Sequence, residues 1–170
     1  MKNSLIVCLL AALTVLPGCK TRYQWTSKVP EALRTVSVPT FRNESGVTEL
    51  GAVATRQLLR EFQREGTFKI RSVGDAAVEV QGVLTKCGMG YTGGDMRGGE
   101  RFGTYKFTVE AKVTVVDKRS GRVLIDNKLY TAATSLMTTQ DVGTAKRDAS
   151  GRLADDLARQ IVDDVLAMPW

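Results

Sequence analysis

Two stretches of the chain repeat their apolar residues at the helical period, and several others repeat them at the period of a strand. Leu50, Val53, Ala54, Leu58 and Phe62 fall at i, i+3, i+4, i+8 and i+12, one face of a helix from about Thr48 to Glu65. Gly66 stands where a left-handed cap would end it. Leu153, Leu157, Ile161 and Val165, widened by Ala154, Ala158 and Val162, form a second stripe. That helix is predicted to begin at Thr144 or Ser150 and to run to Met168, with Pro169 as its stop. Arg152, Asp155, Asp156, Arg159, Asp163 and Asp164 occupy its other face, and Asp155 precedes Arg159 in the favourable i, i+4 order.

The cleanest alternation lies in Thr104–Asp117. Tyr105, Phe107, Val109, Ala111, Val113 and Val115 face one way, and Lys106, Thr108, Glu110, Lys112 and Thr114 face the other. Lys118-Arg119-Ser120-Gly121 turns the chain, and Arg122–Ala132 returns as an antiparallel partner with Val123, Ile125 and Leu129 inward. Ala77–Lys86 reads as a strand with Val78, Val80 and Leu84 inward. Shorter strands are predicted at Thr35–Pro39 and Thr67–Val73, with Phe41–Gly46 a turn of residues that cap their own backbone. Cys87–Gly103, rich in glycine, reads as a loop, and so does the threonine-rich Thr131–Thr144. At 3.4 Å per residue Thr104–Asp117 spans roughly 45 Å, so it must bend or project past the helices that cover its middle. Alternating strands need one buried face, and two amphipathic helices supply the cover. The expected fold is an α+β two-layer sandwich: a mixed sheet of four to five strands, both helices on one face, the other face polar.

The N-terminus changes the setting. Lys2 precedes an apolar run from Leu5 to Leu16, which is the build of a secretory signal and too short for the roughly 20 residues of a membrane span. Leu16-Pro17-Gly18-Cys19 resembles a bacterial lipobox, in which cleavage precedes the cysteine and its thiol is acylated, palmitate being a common chain. The alternative is a soluble secreted protein with a chance cysteine. The division expected is a signal peptide at 1–18, a lipidated tether at 19–33 and one α+β domain at 34–170. Lys20 after the cysteine, in place of Asp, points to the outer membrane, and stable anchoring takes more than one acyl chain. Tyr23 and Trp25 suit either the membrane interface or the edge of the domain. With Cys8 lost and Cys19 acylated, Cys87 has no intramolecular partner and is expected as a small buried or half-buried apolar residue, the alternative being an intermolecular disulfide.

Charge and chemistry narrow the function. The formal net charge is +6, which favours anionic partners, or is simply a solvated surface, since no Lys/Arg run reaches five residues. Export makes nucleic acid an improbable partner. The chain has no histidine, which removes the usual general base, the Ser-His and Cys-His nucleophiles and the commonest metal ligand. Asp155/Asp156 and Asp163/Asp164 lie on a solvated helix face without an oxygen-rich loop, so no catalytic residue, metal or cofactor is expected. Gly88, Gly90 and Gly93 match G-x-G-x-x-G, but a strand follows where a dinucleotide fingerprint needs a helix. The glycine-rich segment is then a connecting loop, or a loop that orders against a ligand with Arg97 and Arg101 available for an anion.

The order of lipobox, short tether, Thr35-Val-Ser-Val-Pro39 strand, helix Leu50–Glu65 leading into Phe68-Lys-Ile70, long hairpin and last amphipathic helix resembles the LptE family. Lys112–Asp117 before Ser120-Gly121-Arg122-Val-Leu124 is a further cue. The resemblance implies a non-enzymatic lipoprotein of the Gram-negative outer membrane, lipid-anchored and facing the periplasm or sitting within a barrel lumen. It implies a role as plug and assembly partner of the large β-barrel LptD, with binding of lipopolysaccharide during its passage to the outer leaflet. By the same resemblance Arg97 and Arg101, before the long strand, and Lys146, before the last helix, are the candidates for lipopolysaccharide phosphates. Phe41-Arg-Asn-Glu-Ser-Gly46 followed by a helix also resembles periplasmic adaptor lipoproteins that activate a peptidoglycan synthase. The short segment between Cys19 and the first strand favours a partner in the outer membrane.

Overall fold

The computed structural model describes residues 28–97, 100–138 and 142–170, with side chains described outside 95–102 and 137–142. The signal segment, Cys19, Tyr23 and Trp25 lie outside the described residues. After a 3₁₀ turn at Glu31–Leu33 come β1 (Thr35–Ser37), β2 (Arg42–Asn43), α1 (Leu50–Glu65), β3 (Lys69–Ile70), β4 (Val78–Arg97), β5 (Glu100–Asp117), β6 (Arg122–Thr138) and α2 (Val142–Ala167). The strands form one mixed six-stranded sheet in the order β3-β1-β4-β5-β6, with β2 also on β4. β1 runs parallel to both β3 and β4, β2 is parallel to β4, and β4-β5-β6 is an antiparallel meander. The class is the α+β one expected; the sheet gains strands because two-residue segments carry too little pattern to be read.

Cross-strand register explains the core. Val80 opposes Val115, Leu84 opposes Ala111 and Cys87 opposes Val109, so the inward residues of neighbouring strands meet in rows. Phe107, Val109, Ala111, Val113 and Val115 are buried, as are Val78, Val80 and Leu84. Leu50, Ala54, Leu58 and Phe62 of α1 and Leu153, Leu157, Ile161 and Val165 of α2 close over them. Both helices therefore cover the same face of the sheet. Phe68 meets Phe62 edge-on at 5.6 Å and Trp170 at 5.7 Å, sealing one end of this layer. Gly66 adopts φ +82° and its N–H reaches Phe62 O at 3.1 Å, the cap its position implied.

The β1–β2 connection is fastened to both layers at Phe41. Its N–H donates to Thr55 Oγ1 at 2.9 Å, and Thr55 in turn donates to Gly51 O at 2.8 Å. The Phe41 ring lies flat against Gly82, where a Cβ would stand 2.2 Å from it. Asn43 organises the following turn by accepting from Ser45 N–H and Oγ and donating to Val47 O.

Four expectations are corrected. Cys87–Gly103 is not a loop: β4 continues through Arg97 and β5 begins at Glu100. Pairing with β5 compensates for the low strand propensity of glycine, and Gly93 takes φ +151° at a bulge between Tyr91 and Gly93. The described residues of Thr131–Thr144 likewise belong to regular structure, since β6 runs to Thr138 and α2 starts at Val142. Leu129 and Val123 are not inward: they are 53% and 50% exposed, while Tyr130 and Ala132 are buried. Shifts of register between Val113 and Val115, with Asn127 at φ +43°, and between Val115 and Val116 each move the alternation of β6 by one residue. Finally, the strand at Thr67–Val73 shrinks to Lys69–Ile70.

Both long strands outrun the core. At 3.3 Å per residue the 20 residues of β4 span about 65 Å. None of the described side chains at 85–94, 103–106 and 133–136 is buried. The distal half of the meander thus projects as a ribbon, bent by bulges at Leu84/Lys86 and Tyr91/Gly93.

Candidate functional site

The distal end of the ribbon carries two of the three cations that the sequence singled out. Met96 pairs with Arg101 and Arg97 with Glu100, so the two arginines flank the end of the β4–β5 hairpin; their side chains lie outside the described residues. Lys146 is not before the last helix but inside it, half-buried, with its carbonyl accepting Ser150 Oγ at 2.7 Å. Helical structure begins earlier than the apolar stripe suggests, because the first turns of α2 carry Lys146, Arg147 and Asp148 and little apolar signal. Gly103 pairs with Thr138, four residues before α2 starts, and this register brings Lys146 to the same end of the sheet as the arginines. Lys106, exposed on β5, and Arg147, exposed on α2, share that end and were not singled out from sequence. Their signal was the polar side of the Thr104–Asp117 alternation for Lys106, and none for Arg147.

Tyr91 and Met89, 65% and 44% exposed, share the ribbon face with Tyr105, whose ring meets that of Tyr91 edge-on at 5.5 Å. The opposite end of the sheet receives the start of the described chain, since Val36 pairs with Val78 at the beginning of β4. The start of the described chain and the β4–β5 hairpin end thus lie at opposite ends of the sheet.

Several of the remaining charges are paired and structural. Lys118 bridges Glu79 at 3.1 Å and donates to Val73 O at 2.6 Å. Burial raises the Glu79 carboxyl, but hydrogen bonds from Gln81 and Lys118 and the Lys118 charge outweigh it and hold it below its usual value. Asp117 is held low by the Ser120 hydroxyl first, with the Arg119 and Ser120 N–H groups adding to it against the opposing effect of burial. Lys128 pairs with Asp164 across β6 and α2, and its hydrogen bond keeps the Asp164 carboxyl low. Tyr130 is buried beside Asp164, and burial together with that carboxylate pushes its phenol far up; its hydroxyl makes no hydrogen bond of ordinary geometry. Cys87 is a half-buried free thiol packed against the core. Among the described residues no three His, Cys, Asp or Glu side chains converge as a metal site. Nor, among them, is any helix long and apolar enough to cross a membrane.

The family model of LptE, described as lipopolysaccharide-assembly, matches residues 33–165. No curated protein matches the chain. Among solved structures, the protein CT253 of Chlamydia trachomatis aligns with a TM-score of 0.57 at 15% identity, over 78% of this chain and 95% of that one. A neuraminyllactose-binding hemagglutinin homolog of Helicobacter pylori aligns with a TM-score of 0.53 at 9% identity, over 81% and 88%. At such identities the likeness is one of fold. A minor lipoprotein of Acinetobacter baumannii aligns with a TM-score of 0.45 at 19% identity, over 82% and 97%.

Proposed function

Because this chain belongs to the LptE family of outer-membrane lipopolysaccharide-assembly lipoproteins, we propose that it plugs an LptD-like β-barrel, helps that barrel assemble and hands lipopolysaccharide toward the outer leaflet through its ribbon end. The observation that carries this reading is the gathering of Arg97, Arg101 and Lys146 at one end of the sheet, remote from the end where the described chain begins. Phosphates are met best by arginine forks and by ammonium groups. The uncovered sheet face, with Gln81, Lys112 and Thr114 outward, suits the hydrated lumen of a large barrel. A non-enzymatic role accords with the family and with the missing histidine. Acylation at Cys19 supplies the anchor, and the signal at 1–18 supplies export.

Photo-crosslinkers placed at Tyr91 and Arg97 in outer membranes are expected to capture a large barrel protein. Capture of a penicillin-binding protein alone would instead favour the activation of peptidoglycan synthesis and overturn this reading. Arg97→Glu with Arg101→Glu is expected to weaken lipopolysaccharide binding about tenfold or more, as each hydrogen bond to a charged group contributes about 1.5–3 kcal/mol. Unchanged binding would remove the two arginines from the site.

A further inference from the structure

We propose that the uncovered sheet face carries a second binding site, a trough for an acidic saccharide built around Lys112, with Gln81, Thr114 and Asn127 beside it. The trough has a volume of about 630 Å³ and lies between the Pro39–Arg42 segment and the outward side chains of β4, β5 and β6. That size falls in the range of small-molecule sites, about 300–1,000 Å³. Its lining differs from that of most such sites: amides, hydroxyls and cations are joined by the Glu79 carboxylate, with Pro39, Gly82 and Val83 as the apolar part. A ligand matching it presents many hydrogen-bonding groups and little apolar surface.

Charge gives the ligand its sign. Three neighbouring charges are already matched: Glu79 by Lys118 at 3.1 Å, Arg42 by Glu44 at 3.0 Å, and Glu110 by Lys86 at 3.4 Å. Lys112 sits between Val83 and Leu129 in a cross-strand row, exposed, and no carboxylate among the described residues pairs with it. An unmatched ammonium in a concave wall concentrates positive potential where an anion can reach it.

Topology decides against a polypeptide. Lys112 and Thr114 lie on β5, which is paired on both sides, and Gln81 lies on β4 between β5 and the β1–β2 edge. An extended peptide binds by adding to a free sheet edge, and Lys112, Thr114 and Gln81 lie on strands away from the open edge at β6. Recognition must come from side chains, and these are held in place. Asn127 is fixed in the left-handed region at the bulge of β6, with its N–H on Thr114 Oγ1 at 3.2 Å, and Gln81 is braced by Glu79 at 2.6 Å. Groups ordered in advance lower the entropy cost of binding. The proposal stands on the trough alone and needs neither the ribbon-end cations nor a barrel.

A sugar phosphate and a uronic acid share the required chemistry, so the test includes both. The purified chain, ¹⁵N-labelled, is titrated with mannose 6-phosphate, galacturonic acid, neutral mannose and inorganic phosphate. One of the acidic sugars is expected to shift the amides of Gln81, Lys112, Thr114 and Asn127. It should bind at least about tenfold more tightly than mannose or inorganic phosphate, and the stronger of the two identifies the acid group. Lys112→Gln should lose about that factor, Lys112→Arg should keep it, and Arg56→Gln, exposed on α1 and outside the trough, should leave it unchanged. The proposal is overturned if those amides do not move, if inorganic phosphate binds as tightly as the sugars, or if Lys112→Gln binds as the parent does. An acidic peptide that occupies the trough more tightly than either sugar would overturn it as well.

Discussion

Phe41 is the residue on which the two layers are joined. Its backbone is fixed to α1 through Thr55 and its ring to β4 through the bare backbone of Gly82. A methyl at residue 82 would enter the ring, and either the ring or the strand has to give. Gly82→Ala is therefore expected to destabilise the chain by about 1–3 kcal/mol in urea unfolding, the usual cost of overpacking a core. Gly88→Ala, whose Cβ would meet its nearest atom at an ordinary 3.5 Å, should fall close to the parent and serves as the control. If the two variants unfold alike, the Phe41 contact is not what residue 82 serves.

At the scale of elements, the turn between β5 and β6 depends on one carboxylate. Asp117 accepts the Ser120 hydroxyl at 2.7 Å and the Arg119 N–H at 2.9 Å, and Gly121 closes the turn at φ +72°. Because its folded value lies below the unfolded one, about 3.9, its stabilisation is present above that pH and is lost as the pH falls through the folded value. Glu79 and Asp164 have the same sign and reinforce the loss. Stability measured by urea unfolding is expected to fall below about pH 4, where carboxylates begin to protonate. In Asp117→Asn the acid-dependent loss should be smaller, because that position no longer titrates. An unchanged slope would assign the acid sensitivity elsewhere. The register shift at Asn127 is the other decisive local device. It turns Leu129 to the uncovered face and seats Lys128 opposite Asp164 of α2.

The whole molecule divides its work along the strands. The proximal part of the meander is buried under two helices, and the distal stretch (85–94, 103–106 and 133–136) holds no buried described side chain. Replacing 90–104 by a short turn is expected to leave cooperative thermal unfolding intact, with Tm within a few degrees of the parent, since about 1 kcal/mol corresponds to only about 2–8 °C in a domain of this size. The same excision should abolish lipopolysaccharide binding if the ribbon end is where it occurs. Loss of cooperative unfolding would mean that the ribbon stabilises the core.

The sequence by itself determined the two helices, the inward residues of β5 and the α+β class, because each rests on a long periodic pattern that only one buried face can satisfy. Its lack of histidine and its lipobox-like start were equally direct, being matters of residue type and order. Tertiary structure alone decided that the glycine-rich segment is paired strand, since backbone hydrogen bonds to β5 are indifferent to side-chain pattern. It alone decided that Tyr130, in place of Leu129, faces the core, because a bulge shifts alternation without leaving a mark that composition can show. And it alone set Arg97, Arg101 and Lys146 toward one end of the sheet, since residues some 45 positions apart in sequence share an end only through the register of β5 on β6.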